Sequence, residues 1–203
     1  MSRMDWVGTG FAIIVFAVFV GLVILIYALL VRRLNKSHSF FEKLKGSLGG
    51  ELYGRKGLFD TKTPLPKDCE FGLVGSRSRI GYRIDLAETG GRGRRLAVRI
   101  SVDFKGKPSS RLTYYGKSNI FEGTAKGLYG ERRGEFFIKS EDMVWANGFF
   151  DRNEEQLKIL SGLAAWIGIE SGTLRFWPRE ENSDKVIEAL DIAIEIVKRE
   201  SKK

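Results

Sequence analysis

Residues Val7 to Val31 form a run of 25 residues without a charge, and Arg32, Arg33 and Lys36 follow at once. At about 1.5 Å per helical residue such a run matches a hydrocarbon core of roughly 30 Å. Trp6 and Tyr27 fall near its ends, where amphipathic aromatics settle. Residues 1–31 therefore read as an N-terminal transmembrane anchor. A cleaved leader would show a basic start, an apolar stretch of about 7–15 residues and a small-x-small site. Here Arg-Arg-Leu-Asn follows the run instead. Lys and Arg accumulate on the carboxyl side, which under the positive-inside rule sets the N-terminus outside and residues 32–203 in the cytoplasm of a single-pass cell-membrane protein. The single cysteine, Cys69, agrees with a reducing compartment.

Gly10, Ala17, Gly21 and Ala28 are spaced by seven, four and seven within this run, placing four small residues on one helix face. Such a stripe lets two helices approach closely and is a candidate packing face for a homodimer or a membrane partner. Residues 32–50 form a basic segment between anchor and domain. Its apolar residues Leu34, Phe41, Leu44 and Leu48 recur at helical spacing, among Arg32, Arg33, Lys36, Lys43 and Lys45. Two readings stay open: a helix lying on an anionic membrane surface, or one packed against its own domain. Gly46, Gly49 and Gly50 end the pattern.

Residues 51–203 are long enough for one core and short for two. The expected fold class is α+β: a transmembrane helix followed by an antiparallel-sheet domain with C-terminal helices. Residues 32–117 hold 20 Lys/Arg against 8 Asp/Glu, whereas residues 118–203 hold 13 against 16. The basic surplus thus belongs to the first half. There Ile80, Tyr82, Ile84 and Leu86 alternate with polar or small residues, as do Leu96, Val98, Ile100, Val102 and Phe104, around a Gly-rich turn at 89–93. Further strands are expected at 51–53, 70–74 and 110–115.

Arg79, Arg83, Arg95 and Arg99 fall on the polar side of that hairpin beside Asp85 and Asp103. Pairing sums of 180, 182 and 184 all keep the apolar sets on one face. Sum 182 opposes Arg83 to Arg99 and calls for an anion, such as a lipid headgroup or phosphate, between them. Sums 180 and 184 oppose Asp85 to Arg95 or Arg99 and give an ordinary salt-bridged surface. These four arginines are the candidate anion contacts. In the second half, Ser140 is expected to cap a brief helix stopped by Gly148, Asn153 with Gln156 to open another, and Ser183 to cap the last. A hairpin is expected about Glu170-Ser171-Gly172.

Phe137-Ile138-Lys139-Ser140-Glu141-Asp142, Trp145-Ala146, Gly172-Thr173-Leu174-Arg175 and Ala189-Leu190-Asp191 resemble the closing module of a family of uncharacterised single-pass membrane proteins. The resemblance covers residues 135–198. It implies no activity.

Chemistry-bearing residues are few. His38 and Cys69 stand apart, and zinc needs about four such ligands. Tyr115-Gly116-Lys117-Ser118 evokes the end of a phosphate-binding loop, but Arg111 occupies the position of its opening glycine. Glu154-Glu155 and Glu180-Glu181 sit at helix starts, where they favour the dipole. No catalytic, cofactor or metal site is expected. Nucleic-acid motifs are also lacking, despite a sequence pI of about 9.7. The sequence therefore suggests a non-enzymatic binding or scaffold module at a membrane surface, contacting anionic headgroups or a protein. Alternatives are an accessory subunit docking through the transmembrane helix and an enzyme acting on a phosphorylated substrate.

Overall fold

The computed structural model describes residues 3–54, 69–89, 95–114, 130–170 and 172–202, with backbone alone at 3–13, 30, 33, 34, 69, 70, 88, 89, 95, 96, 112–114 and 165. The chain divides into two compact units, residues 1–40 and 41–203. The first is the greater part of helix α1, Arg3–Leu48, whose side chains from Ile14 to Leu29 are all exposed.

The transmembrane expectation is corrected here. Among the described residues no helix is long and apolar enough to cross a membrane. Nor is the charge-free run an element of its own, because the same helix continues through Arg32, Lys36, Lys43 and Lys45. The fold description beginning with a transmembrane helix, the single-pass membrane assignment and the outside-to-cytoplasm orientation lose their support together.

From Phe41 onward α1 belongs to the second unit. Phe41 and Leu44 are fully buried, and the Phe41 ring meets Phe71 edge-on at 5.2 Å. Of the two readings for residues 32–50, these last turns thus follow the one in which the helix packs on its own domain. Gly49 donates its N–H to the Lys45 carbonyl at 2.8 Å. Gly49 and Gly50 have φ of +69° and +95°, a conformation that glycine adopts without steric cost, and they turn the chain into the sheet.

The nine strands are β1 (Glu51–Gly54), β2 (Cys69–Arg77), β3 (Ile80–Thr89), β4 (Arg95–Asp103), β5 (Ser110–Tyr114), β6 (Glu131–Arg133), β7 (Phe136–Ser140), β8 (Ala164–Glu170) and β9 (Thr173–Pro178). They form one antiparallel sheet in the order β1-β2-β3-β4-β9-β8-β5-β7-β6. Period-two alternation sends one set of side chains to each side. A single register line crosses seven strands through Leu73, Ile84, Ile100, Phe176, Ile167, Leu112 and Ile138, and those with described side chains are at most 2% exposed. Both sheet edges, β1 and β6, are short, which limits edge-to-edge pairing. The seam between β4 and β9 is also short: it pairs Ile100 with Phe176 through Asp103 with Thr173. Beyond it lies Pro178, which has no N–H for a ladder.

Helix α2 (Met143–Leu163) packs on β7 and β8, and helix α3 (Ser183–Ser201) on β4, β9 and α2. Their caps differ from the sequence expectation. Asp142, accepting from Trp145 N at 2.9 Å, starts α2, while the Ser140 hydroxyl accepts from Asp142 N at 3.1 Å and donates to the Ser109 carbonyl at the end of β7. Asn182, accepting from Asp184 N at 2.9 Å, starts α3. Gly148 does not stop α2. The helix instead kinks at Asn153 (φ −122°, ψ 16°), whose amide donates to the Phe149 carbonyl and to Glu200.

Glu200 is only 1% exposed, yet it is fully engaged: Arg152 donates through Nε and Nη2 at 2.9 and 2.8 Å, and Asn153 through Nδ2 at 3.0 Å. Burial pushes this carboxyl up, but the hydrogen bonds from Arg152 and Asn153 outweigh it and hold the pKa below the ordinary value. The network fastens the end of α3 to the kink in α2. The Tyr82 hydroxyl donates to the Gly49 carbonyl at 3.3 Å, and burial raises its pKa despite the opposing charge of Arg77.

Candidate functional site: the open sheet face

The helices cover the side of the sheet that carries the Leu73 to Ile138 line, and the alternate residues make up the other face. One register line there runs from Val74 to Arg83, Ser101, Arg175, Gly168, Arg111 and Lys139, one residue per strand from β2 to β7. The next line holds Tyr53, Gly72, Asp85 and Arg99 on β1 to β4, and a Trp177–Trp166 pair on β9 and β8. On the opposite flank lie Asp103, Thr173 and Glu170. The face is thus banded into an aromatic line, a cationic line and an acidic line.

Glycine at two positions lets the aromatic rings lie flat. A Cβ at Gly72 would collide with the Tyr53 hydroxyl, and one at Gly168 with the Trp166 indole. Each flat ring receives a cation: Arg83 sits 5.9 Å from the Tyr53 centroid, Arg111 5.9 Å from Trp166 and Arg99 6.0 Å from Trp177. Asp85, fully buried, accepts from Arg99 Nε at 2.9 Å, from Arg99 Nη2 at 3.2 Å and from the Tyr53 hydroxyl at 3.2 Å. Glu170 takes Arg111 at 2.8 Å and Arg175 at 3.5 Å. Arg83 and Lys139 make no ion pair among the described residues.

The four arginines singled out from the sequence do not converge. The β3–β4 register is the one with sum 184, so Asp85 opposes Arg99 and Arg83 opposes Ser101. Arg99 is thereby committed to a carboxylate. Arg79 is not on a strand face, because the β2–β3 hairpin closes through Ser78 and Arg79, with φ of +55° and +66°. Arg95 opposes Thr89, and its side chain lies outside the description. Arg83 alone joins the cationic line, together with Arg175, Arg111 and Lys139 from the second half.

The remaining candidates stay apart. Ala17, Gly21 and Ala28 lie exposed on α1, where a Cβ at Gly21 would meet nothing, and Gly10 is described by backbone alone. Arg32, Lys36 and Lys45 are exposed, Lys43 reaches Asp184 at 3.5 Å, and the Arg33 side chain lies outside the description. The turn at 90–94 and residues 115–118 are likewise outside it. His38 lies on α1 and Cys69 opens β2. Among the described residues no group of three or more His, Cys, Asp or Glu could hold a metal. A concavity of about 540 Å³ lies between the β6–β7 hairpin and α2, lined by Arg133, Phe136, Phe150, Asp151, Glu154 and Lys158. Four of its charges are paired, Arg133 with Asp151 and Lys158 with Glu154.

No protein-family model matches the chain, and no curated protein matches it. Among solved structures, the fold is similar to that of the mycobacterial trehalose monomycolate transport factor A, TtfA. The TM-score is 0.55 at 14% identity, over 78% of this chain and 93% of that one. The likeness establishes a shared fold.

Proposed function

We propose that the chain is a non-enzymatic docking module that binds a protein partner across the face of its sheet that, among the described residues, no helix covers. The supporting observation is that face's composition: the part-exposed Trp166 and Trp177 interleaved with Arg83, Arg99, Arg111 and Arg175. Trp, Tyr and Arg are the residue types that dominate binding energy at protein interfaces. Here rings and guanidinium groups are already stacked in the free domain, so little rotamer freedom remains to be lost on binding. The likeness to a transport factor is compatible with membrane-associated or protein partners. The aromatic and arginine content favours a protein.

Photo-crosslinkers at Ser101 and Thr173, on the open face, and at Glu188 and Glu195, on the exposed side of α3, test this in the cell of origin. A discrete adduct is expected from the open face, identified by mass spectrometry and lost in Trp166→Ala. Adducts from α3 alone, or none from the open face, refute the assignment.

A further inference from the structure

A helix bends where side chains enter its hydrogen-bond ladder. In a regular helix the Phe149 carbonyl accepts from the N–H of Asn153, and the Arg152 carbonyl from that of Gln156. At the kink in α2 both carbonyls accept from side chains: Asn153 Nδ2 reaches Phe149 O at 2.9 Å, and Arg199 Nη1 reaches Arg152 O at 3.1 Å. The Asn153 amide also donates to Glu200 Oε1 at 3.0 Å, and Arg199 Nη1 to Gln156 Oε1 at 3.0 Å. The groups that reach the bend from outside α2 are thus two consecutive residues, Arg199 and Glu200, in the last turn of α3. The usual backbone causes do not apply: α2 contains no Pro, and Gly148 and Gly162 both lie more than a turn away from Asn153. The bent state also carries a cost. Asn153 is fully buried, and its Oδ1 has no hydrogen-bond partner among the described residues. A buried acceptor left without a donor opposes the conformation that holds it.

From this arrangement we propose that the last turn of α3 is a strap that imposes the kink. With Arg199 and Glu200 engaged, α2 is bent; with them released, it runs through Asn153 as one regular helix. The strap also governs the surface beside it. The concavity of about 540 Å³ between the β6–β7 hairpin and α2 takes Phe150 and Asp151 from before the bend and Glu154 and Lys158 from after it, so its shape is set from the end of α3. Glu200 is buried, whereas the Arg199 side chain is 41% exposed, which makes Arg199 the point at which the strap is released.

Hydrogen exchange of the full chain, read by mass spectrometry, tests the strap at residues 154–156. Their N–H groups stand in the first turn after the bend, where ladder partners are incomplete. In Arg199→Ala and in Asn153→Ala, exchange there is expected to slow about tenfold after correction for intrinsic rates, because the ladder closes across the bend. Lys185→Ala, which removes an exposed ion pair in the first turn of α3, is the comparison and is expected to leave exchange unchanged. Melting curves verify that each variant folds; if Asn153→Ala does not, Arg199→Ala alone decides. Unchanged exchange in Arg199→Ala shows that the bend is intrinsic to α2 and overturns the proposal. Faster exchange shows that α3 merely supports a weak stretch of helix, and overturns it equally. Exchange at 132–135 in the β6–β7 hairpin is expected to change with the strap, because Arg133 pairs with Asp151 beside the bend. No change there removes the link to the concavity.

Discussion

Replacing Glu200 by Gln keeps the shape of the buried side chain and removes its charge. Two charge-assisted hydrogen bonds from Arg152 and one bond from Asn153 converge on the carboxylate, and Lys107 Nζ lies 3.4 Å from the backbone carbonyl of the same residue. A hydrogen bond to a charged group contributes about 1.5–3 kcal/mol. Gln can still accept from one donor. The Arg152 side chain is 33% exposed, so water replaces part of what it loses. The net cost is about 2 kcal/mol, or about 4–8 °C in melting temperature for a domain of this size. Because the folded-state pKa is lowered, the stabilisation is fully present above the unfolded value of about 4.3 and is lost as pH falls through the folded value. The gap between wild type and Glu200→Gln, followed by circular dichroism melts, is therefore full at pH 7 and narrows as the pH falls below the ordinary carboxylate range. A gap that is constant over this range, or below 1 °C at pH 7, would refute the reasoning.

Asp85→Asn removes the buried carboxylate that Arg99 and Tyr53 share, at a cost of about 3 kcal/mol. Urea unfolding should show the midpoint falling with an unchanged slope; a stability equal to wild type would mean that solvent already carries the Arg99 charge. Arg79→Gly relieves a left-handed residue in the β2–β3 turn and should stabilise by about 1 kcal/mol, raising the melting temperature by about 2–4 °C. A lowered melting temperature would indicate that the Arg79 side chain contributes more than its backbone costs.

The β3–β4 hairpin was legible because alternation fixes which residues share a face, and parity alone reduced its register to three sums. Choosing among them needed the geometry of the turn. The polar side of that hairpin was searched for arginines, yet of the residues on the cationic line only Arg83 was singled out there. Arg175 and Trp177 alternate visibly in Thr173-Leu-Arg-Phe-Trp, as Arg111 and Thr113 do in Arg-Leu-Thr. What no local pattern contains is that β9 enters between β4 and β8, which is what brings these residues into line with Arg83. The helix caps moved by a residue or two because Ser, Asn and Asp cap almost equally well and neighbouring hydrogen bonds choose among them. The apolar run misled through composition. Hydropathy measures the average character of a segment, and cannot show that this one continues as a single 46-residue helix into the sheet domain.

The short β4–β9 seam has a consequence for how the chain is made. Asp103 and Thr173 are partners, yet about seventy residues separate them along the chain. At about 5–20 residues per second, a ribosome needs about 4–14 s between delivering the two. Throughout that interval the β1–β4 meander, which can form from neighbouring hairpins, offers the bare backbone of β4 to any strand that reaches it. Correct closure depends on a late-arriving hairpin outcompeting strangers, so truncations that stop short of Thr173 should gather on chaperones while the full chain does not.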